Sequence, residues 1–211
     1  MKRPLALAMV CAFLIVSCVR YTVTTDGRLI PNDAFGLGLS TPAQTTIGTA
    51  LPGTTWLYTG SIPKDALGTD GISILYAESL GLGRGTRHHF DAFGILRFFP
   101  DGNIIWKFVR QGQPGGTVVL QDGFGDDFTG GYVGKYTVEG AQLSMEFYVA
   151  TLGGLCFALF NGTIAPDGSI TLSSYKTRMH GVFELNNHTK VIQPLVFTKQ
   201  VVGPMTRSAD W

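Results

Sequence analysis

Two adjacent histidines in RHHFDAF, residues 87–93, are the most direct candidates for chemistry. Histidine and aspartate bind zinc, and a zinc site needs three or four ligands that converge on one point. In an extended strand, however, His88 and His89 point to opposite faces of the sheet. The register of the hairpin that follows places His88 inside with Phe90, and His89 outside with Asp91. We therefore expect a buried or rim histidine at position 88 and no metal site.

Three carboxylates stand among glycines in DGFGDD, residues 122–127. Calcium takes six or more oxygen ligands, and the ligand spacing of an EF-hand is absent here. We therefore expect a solvated loop. The stretch lies within a long connection from Arg110 to Gly131, and connections of this length are commonly either functional or disordered.

Covalent catalysis finds no support in the sequence. The Gly-Xaa-Ser-Xaa-Gly elbow of serine hydrolases is absent, and the four histidines have no evident serine or cysteine partner. Cys156 falls on the same face as Ala158 and Phe160, which is typical of a core cysteine. The sequence predicts no catalytic residue, no cofactor and no enzyme activity.

Cys18 is the residue whose surroundings predict a modification. Lys2 and Arg3 precede a run without charged residues, from Leu5 to Val16. A spanning helix needs about 20 predominantly apolar residues, so this shorter run has the layout of a secretory signal peptide. Its end, Ile15-Val16-Ser17-Cys18, resembles the bacterial lipobox.

The resemblance implies that residues 1–17 are removed and that Cys18 becomes an acylated N-terminus in the cell envelope. Several acyl chains anchor a protein firmly to a membrane, and Val19 after the cysteine implies the outer membrane if the source is Gram-negative. An ordinary signal peptide with a chance cysteine is the alternative. With Cys11 removed and Cys18 lipidated, Cys156 has no partner for an internal disulfide.

Charge argues against nucleic acid as a partner. The whole chain has a net charge of +1, and loss of Lys2 and Arg3 with the signal makes it slightly negative. Nucleic-acid binders carry a basic face, and no block of like charges is present. Hydrophobic residues make up 45% of the chain, which is enough for a core.

Hydropathy and composition divide the chain into four parts, of which the predicted signal peptide, residues 1–17, is the first. Residues 18–52 are rich in Thr, Gly, Pro and Ala and lack periodicity, apart from a possible short strand near YTVTT, so they indicate a flexible tether. Residues 53–201 contain strand-like runs separated by glycine turns. Residues 202–211 are read as a tail.

Three hairpins can be placed in register. Pro100-Asp101-Gly102 suits a three-residue loop, which pairs Phe98 with Ile104 and Leu96 with Trp106 and turns Arg97 and Lys107 outward to solvent. A two-residue Glu139-Gly140 turn joins the second pair of strands, and Pro166-Asp167-Gly168 joins the third.

These hairpins form a meander, and further strands near 56–59 and 195–201 bring the total to about eight. Eight antiparallel strands close into an up-and-down barrel around side chains or one small ligand. The chain resembles the lipocalin-like barrels of bacterial lipoproteins in GTTW at 53–56, in Gly-Xaa-Tyr-Xaa-Val at 134–138 and in its Asp-Gly turns. The resemblance implies an all-β barrel that closes on its own side chains or on one small ligand.

The inward face supplies the candidate ligand-binding residues. It is mostly aromatic, and the glycines at positions 94, 134 and 162 either allow the sheet to coil or leave room for an apolar ligand. The candidates are Trp106, Tyr132, Tyr136, Phe147, His88, Phe98, Phe108, Met145 and Phe160.

Two functions remain open from the sequence. One is a membrane-anchored barrel that binds a small apolar or amphipathic molecule, with the 110–131 connection as a lid or as a flexible loop. The other is an envelope lipoprotein with a filled barrel, which contacts protein, peptidoglycan or host through its outer face and loops. Interior space separates the two, because ligand pockets usually exceed about 300 Å³.

Overall fold

The computed structural model describes residues 21–23, 29–31, 50–63, 66, 92–110, 120, 123–127, 131–151, 154–180 and 189–209. Within these ranges β1 and β2 form a two-stranded sheet, and β3 to β10 form a closed antiparallel barrel in which each strand pairs with the next and β10 pairs with β3. The predicted all-β, eight-stranded meander is confirmed. The strands are β1 (Tyr21–Val23), β2 (Leu29–Pro31), β3 (Trp56–Ile62), β4 (Ala92–Phe98), β5 (Asn103–Arg110), β6 (Tyr132–Glu139), β7 (Gln142–Thr151), β8 (Gly154–Ile164), β9 (Ile170–His180) and β10 (Lys190–Val201).

The first hairpin has the predicted register. Phe98 pairs with Ile104 and Leu96 with Trp106, and the Phe99 amide donates to the Asn103 carbonyl across the loop. Gly102 has φ of 83°, a left-handed conformation that glycine adopts without strain. The loop of the third hairpin has the same left-handed glycine, Gly168, with φ of 82°.

The second hairpin corrects the sequence prediction by one residue. Glu139 pairs with Gln142, so the turn is Gly140-Ala141 rather than Glu139-Gly140. Moving a two-residue turn by one position shifts each cross-strand partner by two, which leaves the faces unchanged because side chains alternate with period two. Lys135 therefore lies directly opposite Glu146 instead of diagonal to it.

The two ends of the barrel differ. The lower end carries the turns at 99–102, 140–141 and 165–169. Residues 50–55 also lie there, and Leu51, which was assigned to the tether, is buried in the barrel core. The upper end is where the strands lead into the segments 63–91, 111–131, 152–153 and 181–189.

The outer wall of β3, β4 and β5 contradicts one sequence prediction. Arg97 and Lys107 point outward as predicted, but they are only 6% and 9% exposed and so are not solvent-facing. A single-turn 3-10 helix, Phe124–Asp126, and residues after β10 cover them. Beneath this cover lies a second apolar cluster that includes Leu57, Ile95, Val202 and Met205.

Candidate functional site

The structure brings together eight of the nine predicted ligand-binding residues. All of those described belong to the core of the barrel or pack against it: Phe98, Trp106, Phe108, Tyr132, Tyr136, Met145, Phe147 and Phe160. His88 lies outside the described residues, and so do His89 and Asp91. The side chains predicted to face inward therefore form one cluster inside the barrel. The contacts between them show how much of the barrel interior they fill.

Trp106 lies at the centre of the cluster and is surrounded by other rings. Its ring centroid is 4.8 Å from Phe108, 5.4 Å from Phe147, 4.8 Å from Phe160 and 6.0 Å from Phe197. These separations are those of direct aromatic packing. The middle of the barrel is occupied by the protein's own side chains.

The lower layer of the interior is packed in the same way. Phe98 makes edge-to-face contacts with Tyr58 and Tyr136, at centroid distances of 5.4 and 4.9 Å. The Tyr136 hydroxyl donates to the Phe99 carbonyl at 2.9 Å. Burial raises the pKa of Tyr136, so this hydroxyl remains a neutral structural donor.

The inward glycines do not leave room for a ligand. A Cβ added to Gly94 would lie 2.7 Å from Trp106 Nε1 and 2.9 Å from Phe197 Cε1. One added to Gly134 would collide with the Glu146 carbonyl oxygen, and one at Gly162 with the Thr171 carbonyl oxygen. The glycines permit close approach of strands and rings, which favours the coiling interpretation over the ligand-room interpretation.

The upper layer is less enclosed. Tyr132 is half-buried and packs against Phe108 with ring centroids 6.0 Å apart. Both residues lie on β5 and β6 beside the end where the long connections leave the barrel. Tyr132 is therefore the least enclosed of the described candidate ligand-binding residues.

Three aromatic core residues were not predicted from the sequence: Tyr58, Tyr175 and Phe197. Tyr58 and Phe197 belong to the first and last strands of the barrel, which no hairpin turn places in register. Alternation within WLYTGSI and LVFTKQV was the available signal. It indicates which residues share a face but does not identify the strand opposite.

A network of polar contacts holds the outer cover in place. We call residues 123–127 the cap turn and residues 202–207 the strap. Arg97 donates from Nη1 to the Gly125 carbonyl at 2.6 Å and to Asp126 Oδ1 at 2.7 Å, and from Nη2 to the Arg207 carbonyl at 2.5 Å. One guanidinium from β4 thus binds both the cap turn and the strap.

Asp126 completes the network from the opposite side. Its Oδ2 accepts from the Thr206 amide and hydroxyl at 2.8 and 3.1 Å, and its Oδ1 accepts from the Arg207 amide at 3.0 Å. Burial acts to raise its pKa, but these bonds and that from Arg97 outweigh burial, and the pKa lies below its ordinary value. Burial also lowers the pKa of Arg97, which Asp126 opposes.

Lys107 fixes the other end of the cap turn. Its Nζ donates to the Asp127 carbonyl at 2.6 Å and to Asp127 Oδ2 at 2.8 Å, and it lies 4.5 Å from the centroid of the Phe124 ring. The expectation of a solvated loop over residues 122–127 is therefore wrong for 124–126, whereas Gly123 and Asp127 are exposed. The two aspartates bind cations of the wall, and Asp122 lies outside the described residues.

Among the residues that the structure describes, no group of three or more His, Cys, Asp or Glu is placed to hold a metal ion. The described part of the chain also contains no helix with the length and apolar character needed to cross a membrane.

Comparisons with known proteins leave the fold as the main guide. No family model, curated protein or solved structure matches the chain. The closed eight-stranded barrel is compatible with a lipocalin-like fold.

Proposed function

We propose that this chain is a lipid-anchored protein of the cell envelope whose barrel is a filled, rigid scaffold. The observation that carries the scaffold part is the packing around Trp106, where four aromatic rings occupy the space that a ligand would need. A scaffold of this kind acts through its outer face and its long connections, which contact protein, peptidoglycan or host.

The anchor part of the proposal rests on the sequence Ile15-Val16-Ser17-Cys18 at the end of an apolar run. In this proposal Cys18 is acylated and residues 19–49 separate the barrel from the membrane. Cys18→Ser should remain an unprocessed precursor or become soluble, whereas Cys11→Ser, inside the signal, should behave like the natural protein. Detergent partition of the mature Cys18→Ser protein with the natural lipid mass would contradict the anchor.

A carrier function is the second candidate, and it is confined to the upper end of the barrel. The half-buried position of Tyr132, its contact with Phe108 and the long connections nearby favour that location. A ligand there would be apolar or amphipathic and would lie above Trp106 rather than replace the central rings.

An apolar fluorescent probe distinguishes the two candidates. A filled barrel should bind no probe in its natural form, and Trp106→Ala should create binding, because an emptied apolar site remains dry and takes small apolar molecules. Val196→Ala, at an exposed position on β10, is the control. Saturable binding by the natural protein that is lost in Tyr132→Ala would instead support the carrier.

A further inference from the structure

The seam between the first and last strands of the barrel is short. β3 and β10 pair through four residue positions, from Trp56 opposite Val201 to Thr59 opposite Thr198. By comparison, β7 and β8 pair through ten positions, from Gln142 to Thr151, whereas β5 and β6 also pair through four. The seam also joins strands that are far apart in sequence, so no hairpin turn holds them together.

The strap continues this seam beyond the last strand. The Val202 amide donates to the Thr55 carbonyl at 2.9 Å, and the Met205 amide donates to the Thr54 carbonyl at 2.6 Å. The Val202 and Met205 side chains are buried against Leu57 of β3. The strap thereby crosses from β10 over β3 towards β4.

The cap turn covers the strap from outside. The Cα of Gly125 lies so close to Met205 that an added Cβ would collide with its Sδ. Asp126 and Arg97 then bind Thr206 and Arg207, as described above. The wall, cap turn and strap are thus mutually dependent, because Arg97 and Asp126 lose shared partners if any one of them leaves.

We propose that the strap and the cap turn form a latch that closes the β3–β10 seam and opens as one unit before the rest of the barrel. Two features make this unit easier to open than a hairpin strand. The Arg97–Asp126 pair returns to water when it is released, and rehydration offsets much of its attraction. The apolar area that holds the strap is limited to a few side chains, and regions with few buried apolar contacts open at lower free energy. Opening exposes Leu57, Ile95 and Met205 together.

Native-state hydrogen exchange on the full chain tests the latch. Asp126→Asn keeps the shape of the side chain and removes its charge, and Asp167→Asn in the 165–169 turn is the matched control. In Asp126→Asn the amides of Met205, Thr206 and Arg207 should exchange at least about tenfold faster, since hydrogen bonds to a charged group are about twice as strong as neutral ones. The backbone amides of the β3–β10 seam should also exchange faster, whereas the exchange rates of the β7 and β8 amides should stay unchanged.

Two results would overturn the proposal. One is unchanged exchange of the strap amides in Asp126→Asn, and the other is an equal acceleration in all strands, which would mean that the strap opens only with global unfolding. Thr206→Val removes a single hydroxyl donor at an exposed position and gives a milder version of the same test. It should accelerate the same amides to a smaller extent.

Discussion

The barrel interior and the outer wall of β3 to β5 are both buried, but they are built in different ways. Apart from the β3–β10 seam, the interior is assembled by strands that are consecutive in sequence, and its core cluster among the described residues is apolar and aromatic. The outer wall is covered by two segments from elsewhere in the chain and holds a charged pair, Arg97 and Asp126, above its apolar residues. The comparison shows that an outward-facing side chain of a barrel strand is not necessarily exposed. Its exposure depends on whether a connecting or terminal segment covers that part of the wall.

The interior should give the largest effect on stability. Trp106→Ala removes the ring that four aromatic neighbours contact, and we expect a loss of about 3–5 kcal/mol in the free energy of unfolding, the range for emptying an aromatic core site. Urea denaturation measures this loss, with Val196→Ala as the exposed control. A loss below that of Arg97→Ala would reverse the ranking of the two regions.

The interior could be predicted because its information is local. Pro100-Asp101-Gly102 fixes one loop, and period-two alternation then assigns Phe98 and Trp106 to the same face. The turn at Gly140-Ala141 was missed by one residue, since both positions suit a two-residue loop, yet the faces survived the error.

The outer wall could not be predicted because its partners are remote. Asp126 lies 29 positions from Arg97, and the Arg207 carbonyl lies 110 positions away. One signal was nevertheless present. Leu57 beside Tyr58 and Ile95 beside Leu96 place apolar residues on both faces of β3 and β4, and continuous apolar runs are typical of strands that are covered on both sides. That pattern indicates a cover but does not identify it.

The second prediction concerns Arg97, which the sequence alone would assign to the surface. Arg97→Ala should cost about 2 kcal/mol, because removal of one partner from a buried pair leaves the other without its counter-charge and Asp126 is only partly buried. Lys107→Ala should cost less, within about 1 kcal/mol, since Asp127 is largely exposed.

Arg97→Met provides the control for lost packing. It keeps an apolar side chain against the wall, and it should therefore cost less than Arg97→Ala. Urea denaturation of the two variants at neutral pH makes the measurement. A cost for Arg97→Ala within about 0.5 kcal/mol, the usual range for surface positions, would mean that the cover does not form in solution.

The smallest expected effect is the pH dependence of the cover, which depends on Asp126. Its pKa in the folded protein lies below its ordinary value of 3.8, so the unfolded chain binds the proton more tightly. Asp126 therefore stabilises the fold fully above that value, and its contribution falls as the pH drops through the lower folded pKa. Arg97 faces Asp126 from β4, and Arg207 faces it from the strap.

Unfolding free energies of the natural protein and Asp126→Asn at pH 7 and pH 3 check this sign. The natural protein should be the more stable at pH 7, and the difference should shrink at pH 3, because the unfolded chain then binds a proton at Asp126 more readily than the folded protein does. The effect should be modest, since the Asp126 side chain is 24% exposed and solvent screens part of its interaction.

Asp167→Asn, measured at the same two pH values, is the control that separates the cover from the barrel turns. Hydrogen bonds from Ser169 also lower the pKa of Asp167, but those bonds stay within one exposed turn. The unfolding free energies of the natural protein and Asp126→Asn could instead differ by the same amount at pH 7 and pH 3. That result would mean that the shape of the Asp126 side chain, and not its charge, stabilises the outer wall.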